Sequence, residues 1–317
     1  MRTRTVRNVV SLAVWPLIGL SLILPTVSAQ EFPFEFAYTS GRADGHVGIY
    51  LRSSSGETLL TAPFTRAEAP RWSPDGRQFV FQALVDDQTD IYVMDLKKNE
   101  HTRLTHGGHH NHQPVWSPTG TTIAFHSLRD GGGVWLIESD GSNLRRFPVE
   151  IRNQGGFSWS PDGRQVVFCA NERVAIPGAP RPESLVELNT DLFIASGDGT
   201  KLRSLLRESN GSLLFPAWSP DGKKIAFVKQ TNGKPAAFDI CLVNIDGTGF
   251  TRLSSRPGQN LCPQWLPDNS GVLFHHTPHN TSATPQIIRV LADGTGESVV
   301  DVGPFGGYFP APRRQLQ

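Results

Sequence analysis

The sequence predicts an all-β fold, a six-bladed β-propeller of four-stranded blades, on three observations. A five-residue turn string recurs at intervals of 40 to 60 residues. Every copy is flanked by the same order of short apolar strands. The two ends of the chain read as complementary parts of one further unit.

The string Trp-Ser-Pro-Asp-Gly stands at 72–76, 159–163 and 218–222, with variants at 116–120 (Thr119 for Asp) and 265–269 (Leu266 for Ser). Successive tryptophans are 44, 43, 59 and 47 residues apart, a spacing typical of propeller blades. Proline presets φ at the second position of the turn, and glycine takes a positive φ at its end. Apolar residues of period two follow it, as in Phe79 and Phe81, Ile123 and Phe125, Val166 and Phe168, Ile225 and Phe227, or Val272 and Phe274. The turn therefore joins two antiparallel strands. A third strand is expected at 90–95, 134–137, 191–194 and 239–243. Asp-Gly turns such as Asp140-Gly141 and Asp246-Gly247 lead to a fourth, such as Thr102-Arg103-Leu104. Four short strands per unit make a blade.

The remaining blade is split. Residues 36–42 align without gaps on 123–129, so the first unit begins at a second strand, and Phe309-Pro-Ala-Pro matches Phe215-Pro-Ala-Trp of a first strand. Pairing Tyr308–Arg314 with the segment begun at Phe34 completes the blade and removes both open edges. The 59-residue interval carries a Pro-rich insertion at 171–189.

Residues 1–29 read as a cleaved signal peptide. Arg2, Arg4 and Arg7 precede a short apolar run, and Val27-Ser28-Ala29 supplies small residues for cleavage. Residues 30–317 are then the mature propeller, exported to the periplasm or secreted. With 30 Lys+Arg against 29 Asp+Glu there is no basic field for nucleic acid. No further apolar run reaches the ~20 residues of a membrane span, and a monomer is expected. Cys169, Cys241 and Cys262 cannot form a disulfide framework and read as buried small hydrophobes.

The units Trp72 to Phe81 and Ile123 to Gly131 resemble the propeller repeats of TolB, a periplasmic protein of Gram-negative bacteria, and the resemblance runs from about Phe34 to Pro312. Similar repeats occur in oligogalacturonate lyases and in propellers attached to prolyl-oligopeptidase-type hydrolases. TolB places a separate α/β domain ahead of its propeller, and no counterpart to it is expected in this chain. The resemblance implies contacts between such a propeller and the lipoprotein Pal, with no particular residues assigned to them.

Gly-x-Ser-x-Gly, His-Glu-x-x-His, Cys-x-x-Cys pairs and phosphate-binding glycine loops are absent from the sequence. Histidine carries what chemistry there is. His106, His109, His110, His112 and His126 fall in one unit, and His275, His276 and His279 in another. Counting from the repeat tryptophans puts almost all of them around the channel mouth opposite the Ser-Pro-Asp-Gly turns. Glu68 is the clearest acid on the same rim. Two functions follow. One is a non-catalytic binding module taking a protein, peptide or glycan at a mouth formed by His112, His126, His275, His276 and Glu68. The alternative is a metal-dependent enzyme, similar to the oligogalacturonate lyases, with a divalent transition metal on His106, His109, His110, His112 and His126. His126 and His275 lie in the third and sixth blades, across the axis from one another, too far apart to share one ion. The binding module requires no cofactor. Arg42 and Arg129 are expected to form repeated ion pairs with Asp44 and Asp130, and the repeat tryptophans to be wedges between blades.

Overall fold

The computed structural model describes residues 26–27, 34–149, 155–170, 190–232, 236–254, 256–279 and 283–314. These form six antiparallel sheets of four strands each, one of them extended by a short fifth strand. Each blade is named here by its strands from the channel outward. Blade 1 is Tyr308–Pro312, Phe36–Gly41, Val47–Ser53 and Gly56–Leu59. Blade 2 is Ala67–Trp72, Gln78–Val85, Gln88–Asp95 and Glu100–Arg103. Blade 3 is His112–Trp116, Thr122–Ser127, Gly133–Glu138 and Arg145–Arg146. Blade 4 is Gly155–Trp159, Gln165–Ala170, Asp191–Ser196 and Arg203–Leu206. Blade 5 is Gly211–Trp218, Lys224–Thr231, Ala237–Asn244 and Thr251–Ser254. Blade 6 is Gln259–Trp265, Gly271–Thr277, Gln286–Leu291 and Ser298–Val300. The strand order expected from the repeats is the one observed.

The inner strands contact one another in a closed ring, and that of blade 1 packs against those of blades 2 and 6. Closure is in the expected place. Phe36 faces Pro312, Ala37 faces Ala311 and Thr39 faces Tyr308. Arg313 reinforces it, pairing with Glu35 at 2.7 Å and donating to the carbonyl of Gly76 in blade 2 at 2.9 and 2.7 Å.

The core lies between blades rather than within them. Six apolar clusters fill the six interfaces of the described residues, such as Val80, Ile91 and Val93 of blade 2 against Trp116, Phe125 and Ile137 of blade 3. Both faces of a blade meet a neighbour, so its middle strands are buried on both sides while the outermost strands are largely exposed. Trp116, Trp218 and Trp265 are wedges in three of these clusters, and Trp72 and Trp159 pack against two others.

The turns follow from their residues. Gly76 N–H donates to Ser73 O at 2.8 Å, and the copies at 120, 163 and 222 repeat the bond at 2.9–3.0 Å. The closing glycines have φ of +64 to +75°, and Asn269 takes the same role at +62°. Ser73 and Ser160 hydroxyls donate to Asp75 and Asp162 at 2.6 Å. Those bonds hold the two carboxyls below the usual aspartate range.

Thr26–Val27 runs parallel to Ser298–Val300 as the fifth strand of blade 6. Loss of the leader after Ala29 would remove it and leave four strands. The rest of that leader and the insertion at 171–189 lie outside the described residues. Among the described residues no helix is long and apolar enough to cross a membrane.

Candidate functional site

Each inner strand carries a β-bulge three residues before its tryptophan position, marked by a register shift against the second strand. The bulged residues are Ala69, Gln113, Gly156, Phe215, Cys262 and Phe309, all with φ between +50 and +63°. Five of the six are not glycine, so the left-handed conformation is imposed by the strand geometry. Together they ring the central channel. Gly156 stands where a Cβ would approach Pro216 Cδ to 2.8 Å. A wider cavity opens at the turn face, lined chiefly by the repeat tryptophans and the turn prolines.

One residue before each bulge lies the rim of the opposite mouth. Ladder register pairs each rim residue with one on the second strand: Tyr308 with Thr39, Glu68 with Gln82, His112 with His126, Gly155 with Cys169, Leu214 with Val228, Leu261 with His275. The mouth is therefore two-sided. Blades 1 to 3 present polar groups, whereas in blades 4 to 6 Cys169, Leu214 and Val228 are buried between blades and Leu261 is half-buried.

The partner positions also fasten neighbouring blades. Thr39 Oγ1 accepts the Ala69 N–H at 3.2 Å, Gln82 Oε1 accepts the Gln113 N–H at 2.8 Å, and His275 Nδ1 accepts the Phe309 N–H at 3.4 Å. In each case a side chain of one blade holds the bulge of the next.

These contacts sort the sequence candidates. Glu68 is at the rim, accepting from Arg66 at 3.0 Å and from Gln82 at 3.3 Å. His112 and His126 face each other in register, and His110 stacks near His112 with centroids 6.4 Å apart. Burial pushes the His126 imidazole down to about 4, with His112 adding to it. Burial lowers His112 as well, His110 reinforcing and Glu68 opposing that shift. Both are neutral at pH 7. His275 and His276 are not rim groups, being 4% and 3% exposed. His275 is the inter-blade acceptor just described, wedged edge-on against Tyr308 and Phe309. His276 Nδ1 lies 2.8 Å from Asn260 Oδ1, whose amide donates to the carbonyls of Phe238 and Arg256. That orientation makes Nδ1 the protonated nitrogen. Burial lowers the pair to about 3 and about 4.

The five histidines considered for a metal do not assemble. His106 and His109 meet the neighbouring loop through their backbone carbonyls, which accept from Arg129 and Leu128. Among the described residues no three of His, Cys, Asp and Glu could hold an ion together.

The arginine expectation is also corrected. Arg42 pairs with Glu57, and Asp44 with His46, while Arg129 donates to His106 O. What repeats is stacking: Arg42 lies 3.8 Å from the Tyr50 centroid and Arg129 5.1 Å from that of Trp135. In both blades the guanidinium lies over an aromatic ring of the third strand, whose face attracts a cation.

One constellation escaped the sequence reading. Buried Asp90 pairs with Arg103 and accepts from Thr105 at 2.6 Å and Asn111 at 2.9 Å. Asp239, Arg252 and Ser254 of blade 5 and Asn260 of blade 6 recur at the same spacing, with Arg252 3.4 Å from Asp239. Both sets anchor an outer strand to the next blade.

Residues 22–178 match the model of the TolB β-propeller domain. A TolB homolog of Chlorobium luteolum is 30% identical over 57% of this chain and 37% of its own length. Superposition on TolB from Acinetobacter baumannii gives a TM-score of 0.73 at 16% identity, covering 89% of this chain and 67% of that one. The chain is a TolB-like β-propeller protein. An uncharacterised protein of Agrobacterium fabrum is 34% identical over 58% of this TolB-like chain and 62% of its own length. The matched part thus spans less than two thirds of these curated relatives. An oligogalacturonate lyase of Vibrio parahaemolyticus shares the fold, with a TM-score of 0.53 at 16% identity over 85% of this chain and 73% of that one.

Proposed function

We propose that this TolB-like propeller is an exported binding module that takes a protein, peptide or glycan at the rim of Glu68, His112 and Tyr308. The two-sided mouth carries this reading. A carboxylate, two neutral imidazoles and a phenol stand on one half, with half-buried Leu261 on the other. Neutral imidazoles can both donate and accept, so this half suits amide or hydroxyl groups, while the other buries apolar area. The bulges make the rim rigid, which limits the ordering cost of binding. A metal-dependent lyase has no comparable support, because the likeness to such enzymes is one of fold.

Peptide and glycan arrays read with the purified protein test the proposal. A captured ligand should lose at least tenfold in affinity on combining Glu68→Ala with His112→Ala, about 1.4 kcal/mol. Arg164→Ala on the turn face should leave it unchanged. A ligand sensitive only to the turn-face change would sink the assignment of the mouth. Stoichiometric metal that disappears on replacing His112 and His126 would favour the enzyme instead. N-terminal sequencing of exported protein, expected to begin at Gln30, tests the leader.

A further inference from the structure

The channel between the two mouths contains one cation with no counter-charge. Arg71 precedes Trp72 on the inner strand of blade 2, is half-buried, and lines both the channel and the turn-face cavity. Its Nη1 donates to the carbonyl of Pro70 at 2.8 Å, its one protein acceptor among the described residues. No aspartate or glutamate among the described residues lines either cavity. Cys262 is close enough to feel the guanidinium, but burial pushes its thiol up to about 12, so it stays protonated and supplies no negative charge. Burial likewise holds Arg71 below the usual arginine value. A guanidinium drawn partly out of water and facing no carboxylate is a ready partner for an anion.

The surroundings define which anion. Ser158 Oγ accepts the Trp218 N–H at 3.1 Å, which leaves its hydroxyl proton free to donate into the channel. The Gln113 side-chain amide lines the same cavity and has no protein partner among the described residues. Around these polar groups the wall is Val115, Phe157, Phe215 and Phe309. A planar fork of N–H donors matches a carboxylate bidentately, and the apolar wall matches a hydrocarbon body.

We propose that the channel is a binding site for a small organic carboxylate with an apolar body, its carboxylate on Arg71 with Ser158 and Gln113 as further donors. The site is independent of the rim and of the ligand proposed there.

Calorimetric titration of the purified full chain with hexanoate and benzoate at neutral pH tests this, with hexanamide as the uncharged control. Saturable one-to-one binding of a carboxylate is expected, at least tenfold weaker for hexanamide. Arg71→Gln should lose at least tenfold, Arg71→Lys less, and Arg314→Gln on the turn face no more than twofold. Should Arg71→Gln not fold, thermal melting of the unaltered protein decides, because a ligand of the native state raises Tm. A rise with hexanoate and none with hexanamide supports the site. No binding, equal response to hexanamide, or full binding by a folded Arg71→Gln overturns it.

Discussion

A histidine whose ring nitrogen accepts a backbone N–H must stay neutral for the contact to survive, and this decides the role of His275. Its Nδ1 accepts from Phe309, and its near neighbour His276 is held by Asn260. Their folded values of about 3 and about 4 lie below the ~6.5 of an unfolded histidine. The unfolded chain therefore binds protons below pH 6.5 that the folded chain refuses until pH 3–4. Stability from this source is complete above pH 6.5 and falls as pH drops towards 4. At pH 4.5 each imidazole should cost on the order of 2 kcal/mol of stability. Urea midpoints from pH 7.5 to 4.5 should fall less steeply in His275→Gln with His276→Gln, since glutamine keeps an acceptor but does not titrate. Identical slopes would mean that the two rings are not neutral in the fold.

At the scale of the strand, the bulges are the device that fastens one blade to the next. Replacing Thr39 by valine keeps the shape and removes the acceptor of the Ala69 N–H. Leaving a buried donor unpaired costs about 1–3 kcal/mol, so Tm should fall by at least ~2 °C. An unchanged melt in Thr39→Val would show that the bulge N–H has another acceptor. The bulges also mark where legibility stopped. The strands and their order could be read because tryptophan, Ser-Pro-Asp-Gly and the period-two residues recur together. The bulges could not, because Ala69, Gln113, Phe215, Cys262 and Phe309 carry no residue preference for positive φ. A weak signal stood one position later, where Pro70, Pro114, Pro216, Pro263 and Pro310 interrupt five inner strands. Proline cannot donate to a ladder, so it belongs at bulges. For the same reason the histidines were placed correctly along the chain and only partly across it. Counting from Trp265 brought His275 to the height of the rim, and the register then turned its ring into the next blade rather than to solvent. The Asp90 set was legible too, as a spacing repeated by Asp239, Arg252, Ser254 and Asn260, but its meaning depends on which blade each strand joins.

For the whole ring, stability depends on one junction that is unlike the other five, because there the inner strand of a blade comes from the opposite end of the chain to its second strand. Tyr308–Pro312 contributes to two blades at once: it pairs with Phe36–Gly41, and Ala311 O accepts the indole N–H of Trp72 at 2.9 Å. Were it to detach, the strand at Phe36 would present unpaired backbone groups, an aggregation template. A disulfide placed across the junction tests this arrangement to the residue. Ala37 and Ala311 face each other in register and are both buried. Directly opposed residues of an antiparallel pair have Cα atoms ~4.5–5.5 Å apart, within the reach of a disulfide. Cys169, Cys241 and Cys262 are buried and free, so they should not compete. Ala37→Cys with Ala311→Cys should oxidise to an intramolecular bond that closes nearly the whole chain. The chain-entropy model puts the gain at up to about 5 kcal/mol, less about 1–3 kcal/mol for fitting two sulfurs into the packed interface. The midpoint of urea unfolding should rise in the oxidised protein and return on reduction. The shifted pair Ala37→Cys with Pro310→Cys should cross-link poorly, since a one-residue step turns the partner to the other face of the sheet. Equal oxidation of both pairs would mean that the junction slides, and failure of both would place the closing strand elsewhere.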